Sequence, residues 1–232
     1  MTEHAVVLVS GGMDSATAAA EAASRDYDLH FLHTSYGQET AGKEYECARD
    51  LADHYDARFF HAETDHLARI GGSSLVGDGT VEDADSAGGG ENDDTTEDGD
   101  AVPSTYVPFR NANLLSMAVS YAEANDCSAV FIGAHTGDFQ GYPDCRPAFF
   151  DAFQTVVDEG TAQETTISIE APFASGSKTA IVERGLELDV PFEKTWSCYR
   201  SEEPACGTCD ACVYRLRAFE EAAATDPIEY AE

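Results

Sequence analysis

The sequence predicts an α/β protein: a Rossmann-like parallel sheet with helices on both faces, plus a small C-terminal cysteine-rich segment. Three observations carry this prediction. Apolar, β-branched runs alternate with helical stretches along the chain, the run Ser10-Gly11-Gly12-Met13-Asp14-Ser15 follows the first apolar run, and four cysteines crowd between positions 198 and 212. At 232 residues, one domain over 1–195 with an appendage over 196–232, cysteine-rich and then helical, is the expected organisation.

The elements follow in order. Ala5 to Val9 is a continuous apolar run ending in Ser-Gly-Gly, and from Asp14 the chain is alanine-rich, which reads as strand, tight loop and helix. Leu29 to His33 is a second strand, Ala41 to Tyr55 a helix, and Ala57 to His61 a third strand. Alternation of this kind builds a parallel sheet whose ligands lie at the carboxyl ends of its strands. Asn111 to Asn125 has helical spacing in Leu114, Leu115, Ala118, Val119 and Ala122. Ala129 to Ala134 is the fourth strand, Ala148 to Val157 a helix, Thr166 to Ala171 a fifth strand and Thr179 to Leu188 a helix. Residues 76–102 hold ten acids, no base and Gly88-Gly89-Gly90, with too few apolar groups to offset the entropy of ordering. This is a disordered insertion by expectation, standing clear of any site.

The chain carries 13 Lys plus Arg against 44 Asp plus Glu, a formal charge of −31. Outside the insertion 34 acids remain, so the acidity is global. Such a surface disfavours nucleic acid and anionic membrane, which reward clustered cations. Only three lysines occur, and the carboxylate coat suits concentrated salt, where screening acts over roughly 3 Å at 1 M. The longest apolar run near the N-terminus, Ala5 to Val9, is too short for a signal peptide or a membrane span, so a cytoplasmic protein is expected.

In Ser10 to Ser15 the glycines allow backbone N–H groups to converge, the next helix adds the positive end of its dipole, and Ser10 and Ser15 add hydroxyls. Together these features cradle phosphate. The loop is neither the Rossmann fingerprint nor the Walker pattern, and a plain glycine turn capped by Asp14 or Ser15 is the competing reading. Cys198, Cys206, Cys209 and Cys212, spaced x7, x2 and x2, can bring four sulfurs to one metal. Zinc in a closed, structural site is the favoured occupant, and an iron–sulfur cluster is the alternative. Arg200, Arg215 and Arg217 are placed to offset the thiolate charge, while Cys47 and Cys127 read as small apolar residues. After the fourth strand, Asp138, Tyr142, Asp144 and Arg146 fall within nine residues. Carboxylates and an aromatic face there suit a planar heterocycle, and a charged surface turn is the other reading.

Ser-Gly-Gly-x-Asp-Ser after a first strand resembles the pyrophosphate loop of the N-type ATP pyrophosphatases, whose fold is that of the adenine nucleotide alpha-hydrolases. That resemblance implies that Leu8, Val9, Ser10, Gly11, Gly12, Met13, Asp14, Ser15, Ala16, Thr17 and Ala18 hold ATP, with Asp14 helping to place Mg2+. Further motifs occur in one order: Tyr106-Val-Pro-Phe-Arg110-Asn111, Gly141-Tyr-Pro-Asp-Cys-Arg-Pro147, Lys178-x-x-Ile, Val190-Pro-x-x-x-Thr195-Trp-Ser-Cys-Tyr199 and Cys206-Gly-x-Cys-x-x-Cys212. The set resembles the 7-cyano-7-deazaguanine synthase family over nearly the whole chain outside 76–102.

The resemblance implies a ligase that converts 7-carboxy-7-deazaguanine, ammonia and ATP to the nitrile by activating first the acid and then the amide. Ser10, Asp14, Arg110 and Lys178 are then the catalytic residues, and Asp138, Tyr142, Asp144 and Arg146 hold the deazapurine. His33 and His135, at strand ends, read as structural. A homodimer is implied, and the product serves tRNA modification, archaeosine in an archaeon and queuosine in a bacterium. A tRNA thiolase with an iron–sulfur cluster and a non-catalytic nucleotide-binding zinc module share part of the pattern and are the alternatives.

Overall fold

The structure, a computed structural model, describes residues 2–77, 79–84, 102–136 and 142–231. Five parallel strands form one sheet in the order β3-β2-β1-β4-β5: β1 His4–Leu8, β2 Asp28–Ser35, β3 Arg58–Glu63, β4 Ala129–Ile132 and β5 Ser168–Glu170. The helices are α1 Met13–Ser24, α2 Ala41–His54, α3 His66–Ile70, α4 Arg110–Ala124, α5 Pro147–Gly160, α6 Lys178–Glu187 and α7 Asp210–Glu221. Every predicted element is present with ends moved by a few residues. The addition is α3, whose five residues are too few to show helical periodicity.

Alternate residues of the central strands enter two separate cores. Val7, Phe31 and Phe131, paired in register across β1, β2 and β4, pack with Ala16, Leu51, Val182 and Phe219 of α1, α2, α6 and α7. Val6, Leu8, Leu32 and Val130 point to the other face and pack with Leu115 and Ala118 of α4 and Phe150 of α5. A parallel strand covered on both faces must be apolar at every position, which is why β1 reads as an unbroken run.

The strand order reverses at β1, since β2 lies on one side and β4 on the other. The loops leaving β1 and β4 therefore diverge, and a crevice opens at their carboxyl ends. A third cluster stands beside this crevice, in which Tyr36, Leu67, Leu75 and Val107 pack with Trp196, Cys198, Cys209 and Cys212. The cysteine segment is joined to the main body twice more. Phe219 of α7 enters the first core, and Arg215, fully buried, pairs with Asp226 at 2.8 Å while donating to Thr195 Oγ1 at 2.8 Å.

Residues 78 and 85–101, most of the acidic insertion, lie outside the described residues, as does Asp138. The described leading edge departs from expectation. Val76 and Val81 are buried in the third cluster, and Asp83 pairs with Arg200 at 2.7 Å beside the cysteines. Two valines suffice here because each fills space already lined by aromatic and sulfur atoms, so little further ordering is needed.

Candidate functional site

A cavity of about 310 Å3 opens at the carboxyl ends of β1, β2 and β4. The loop after β1 forms its floor. Gly11 has φ +85°, and a Cβ there would stand 2.4 Å from the Glu44 carbonyl oxygen, so both the conformation and the contact require glycine. Ser15 Oγ donates to Gly12 O at 2.9 Å and accepts from Ser10 N at 3.2 Å. The serine thus closes the turn, and the loop's amides face a concave surface suited to an anion. Gly133, after β4, touches this turn so closely that a Cβ would lie 2.5 Å from Asp14 O.

Charged side chains converge above the loop. Asp14, in the first turn of α1, accepts from Lys178 Nζ at 3.1 Å, and His135 Nε2 lies 3.8 Å from the same oxygen. Lys178 reaches it because Ser177 caps α6, its Oγ accepting from Ala180 N at 3.1 Å, which fixes the first helical residue toward the cavity. Burial alone would raise the Asp14 carboxyl, but Lys178, then His135, outweigh it and hold it below its ordinary value. Its second oxygen, Oδ1, is buried without a hydrogen-bond partner. An ionised carboxylate with one oxygen unspent fits a divalent cation that also meets phosphate.

Arg110 enters from the opposite wall. Phe109, just before α4, has φ 56° and ψ 29°, a left-handed conformation costly for a bulky side chain. That turn starts α4 with Arg110 lining the cavity, where its Nη1 donates to the Tyr36 hydroxyl at 2.9 Å. The buried Tyr36 beside it, more than its own burial opposes, raises the guanidinium above its ordinary value.

The predicted residues divide clearly. Leu8, Val9, Ser10, Gly12, Met13, Asp14, Ser15, Arg110, Lys178 and Tyr142 line the cavity. Gly11 faces Glu44 instead, Ala16 and Ala18 are buried in cores, and Thr17 spends its hydroxyl on Met13 O at 2.9 Å. Tyr142 has its hydroxyl 2.6 Å from Thr105 Oγ1. Asp144 and Arg146 lie off the cavity. Asp144 is buried with Oδ2 accepting from Asn111 N at 2.9 Å, so it caps the first turn of α4, while Arg146 is exposed at the start of α5. The histidines also divide: His33 is fully buried with Nδ1 2.8 Å from Val9 O, whereas His135 belongs to the cavity. Tyr36, Glu44, Thr105, Cys145, Tyr199 and Asp210 line it as well. Of these, Cys145 and Tyr199 stand within motifs of the family resemblance and Tyr36 just beyond a strand's carboxyl end, whereas Glu44, Thr105 and Asp210 carried no signal.

The four cysteine sulfurs all lie within 4.8 Å of one another, and Cys206 Sγ is 3.9 Å from Cys212 Sγ. Four thiolates about 2.3 Å from a tetrahedral metal stand about 3.8 Å apart, so the cluster fits one ion. Amides of Arg200 and Cys206 approach Cys198 Sγ at 3.4 Å, and Arg200 Nη2 approaches Cys206 Sγ at 3.2 Å. Burial raises the Cys206 thiol, but the Arg200 guanidinium and the Cys209 N–H outweigh it and hold it below the ordinary thiol value. Of the three arginines expected to balance the thiolates, Arg200 does so by direct contact with Cys206 Sγ. Arg215 pairs with Asp226, and Arg217 with Glu221 at 2.8 Å.

Fold and site together define an α/β protein with a glycine loop suited to an anion at the sheet's switch point and, beside it, four cysteine sulfurs close enough to hold one metal ion. Comparison with known proteins makes this specific. The family described as Queuosine biosynthesis protein QueC matches residues 4–223, and the chain belongs to that family. A 7-cyano-7-deazaguanine synthase of Haloarcula marismortui is 65% identical over 232 residues, covering 99% of this chain and 95% of the relative. One of Halobacterium salinarum is 61% identical, covering 99% and 96%, and one of Methanoculleus marisnigri is 52% identical, covering 98% and 99%. Two of these three relatives are from halophilic archaea, in keeping with the acidic surface. Among solved structures, NMN synthetase from Francisella tularensis aligns over 97% of this chain and 79% of its own, with a TM-score of 0.47 at 14% identity.

Proposed function

We propose that the chain is an ATP-dependent ligase that converts 7-carboxy-7-deazaguanine and ammonia to 7-cyano-7-deazaguanine. The observation that carries this, beside the family membership, is one cavity that joins the phosphate loop, the Asp14–Lys178 pair and Arg110 to the hydrogen-bonded pair Tyr142 and Thr105. A phosphate end and a hydrogen-bonding aromatic end suit a planar acid presented to a nucleotide.

A carboxylate resists ammonia because oxide is a poor leaving group. ATP, when bound, would supply the adenylyl group that turns that carboxylate into an acyl adenylate, with pyrophosphate leaving from its α-phosphorus. The chain's own residues then have defined work. The loop amides and the Ser10 hydroxyl hold the departing pyrophosphate, and Lys178 and Arg110 supply charge that opposes its negative charge as it forms. Asp14, held ionised, would place magnesium through Oδ1, the oxygen without a partner. Tyr142 and Thr105 orient the ring. The same set serves twice if the amide oxygen is activated in turn, and loss of that group leaves the nitrile.

Zinc is the ion that suits the four thiolates, since a closed tetrahedral sulfur site has no position for water and is structural. The same reading takes the enzyme as a cytoplasmic homodimer, tested by light scattering. Among the described residues no helix is long and apolar enough to cross a membrane. The deciding experiment incubates zinc-loaded protein with the carboxylic acid, ammonium and MgATP at high KCl and detects nitrile by mass. Folded protein that releases no pyrophosphate and forms no nitrile would overturn the assignment.

A further inference from the structure

The reaction needs ammonia, and the residues above do not say where it binds. Glu44, in the first turn of α2, lines the same cavity. Its Oε1 accepts from Thr40 Oγ1 at 2.9 Å and its Oε2 from Gln38 Nε2 at 3.0 Å. Gln38 is itself fixed, its Oε1 accepting from Tyr36 N at 2.8 Å. Both donors to Glu44 are neutral. Among the described residues no cation makes an ion pair with Glu44. Burial pushes its carboxyl up, and Arg110 attracts it only from beyond contact. A carboxylate so placed, with lone pairs left over and no counter-charge, is electrostatically incomplete and favours a small cation.

Two further observations point to ammonium rather than to the ring of the acid. Glu44 lines the same cavity as Ser10, Gly12 and Asp14 of the phosphate loop, and its backbone carbonyl packs on Gly11 of that loop. A second cavity of about 180 Å3, lined by Gly37, Glu39, Ser74, Leu75, Gly79 and Tyr199, adjoins it. Glu39, Leu75 and Tyr199 line both cavities. The second space carries an acidic side chain, Glu39, at its border with the first.

We propose that Glu44, held by Gln38 and Thr40, is the ammonium site and takes the proton that frees ammonia for attack, with the smaller cavity as its entry. The inference rests on the ligase reading. Ammonium gives one proton to the Glu44 carboxylate, and the freed nitrogen lone pair forms the C–N bond at the acyl carbon. The C–O bond to the adenylate phosphorus group breaks, its electron pair leaving with AMP. The new amide nitrogen loses a second proton to water, and Glu44 returns its own.

The test compares two nucleophiles. Hydroxylamine is largely uncharged at neutral pH and needs neither an anionic site nor a base, whereas ammonium needs both. In Glu44→Gln the ratio of kcat/KM for ammonium to that for hydroxylamine should fall about tenfold or more, the size of losing one hydrogen bond to a charged group, with the loss appearing first in KM for ammonium. Glu44→Asp, which keeps the charge, should recover part of the ratio and serves as the test if the Gln variant does not fold. Equal losses with both nucleophiles, the mark of a purely structural Glu44, would overturn the proposal, as would an unchanged ratio. Wild-type protein that releases no acid-dependent pyrophosphate would instead remove the ligase reading itself.

Discussion

The phosphate loop and the cysteine segment are built on opposite principles. The loop is an extension of the sheet: Val7 and Val9 are in the core, α1 is buried along most of its length, and the loop keeps its shape through bonds among Ser10, Gly12 and Ser15. Its charged groups are left partly unspent, as Asp14 Oδ1 shows. The cysteine segment has no strand of the sheet and closes on its own sulfurs. One region takes its order from the fold and keeps electrostatic potential for a ligand. The other spends its chemistry on its own order. They meet where Trp196 N donates to Gly11 O at 2.8 Å, so the segment also braces the loop.

The strongest way to break that contrast is to open the metal centre. Cys209→Ser removes one of four ligands from a site whose metal contributes roughly 10–16 kcal/mol to folding of such segments. Loss of bound zinc, a lower melting temperature and weaker ATP binding should appear together, the last because Trp196 no longer holds Gly11. Metal analysis, calorimetry and nucleotide titration at constant KCl check this. Full ATP affinity in metal-free, still folded protein would show that the segment does not brace the loop.

Lys178→Ala probes the other region. Turnover should fall about 10²- to 10³-fold, the scale for removing one preorganised electrostatic partner, while bound zinc stays unchanged. Stability should fall by about 1 kcal/mol at neutral pH, because Asp14 loses its nearest cation. The sign with pH follows from the depressed Asp14 carboxyl. Its contribution is present above the unfolded value of 3.8 and is lost as pH falls through the lower folded value. Without Lys178 the folded value rises toward or past 3.8, so the acid-side fall contributed by Asp14 should shrink, and the stability gap between wild type and variant, read from denaturant midpoints, should narrow as pH drops below 3.8. A gap that stays constant with pH would mean that Lys178 does not hold Asp14 ionised.

The same division governs what the sequence revealed. Both contiguous motifs were legible, Ser10 to Ser15 because a strand–loop–helix states its own geometry, and the cysteines because four sulfurs at such spacing have few other uses. Lys178 and Arg110 were reached through family resemblance and Tyr142 through its place in the polar cluster after the fourth strand, and each lines the cavity. What stayed hidden depends on long-range contacts. Asp144 looked like a ligand, but 33 residues away Asn111 presents the N–H that occupies it. Arg215 looked like a counter-charge to sulfur until Asp226 folded back on it. Glu44 carried no local sign at all, since only the packing of α2 on Gly11 brings it to the cavity.

The smallest effect tests the seam between the cysteines and the acidic insertion. Arg200 touches both, with Nη2 3.2 Å from Cys206 Sγ and 2.7 Å from Asp83. The pair with Asp83 is half exposed on the acid's side, so concentrated salt screens it and its loss changes stability little. The contact with Cys206 is different, because a cation beside a thiolate favours the deprotonated form that a metal needs. Arg200→Ala should therefore leave the melting temperature of zinc-loaded protein within a few degrees of wild type, yet weaken zinc retention against a chelator by about tenfold, the lower end for removing a group that supports a ligand. Arg200→Lys, which keeps charge without the planar fork, should fall between. If alanine retains zinc as wild type does, the backbone amides at Cys198 and Cys206 stabilise the thiolates unaided, and Arg200 serves only to pin the first turn of the insertion.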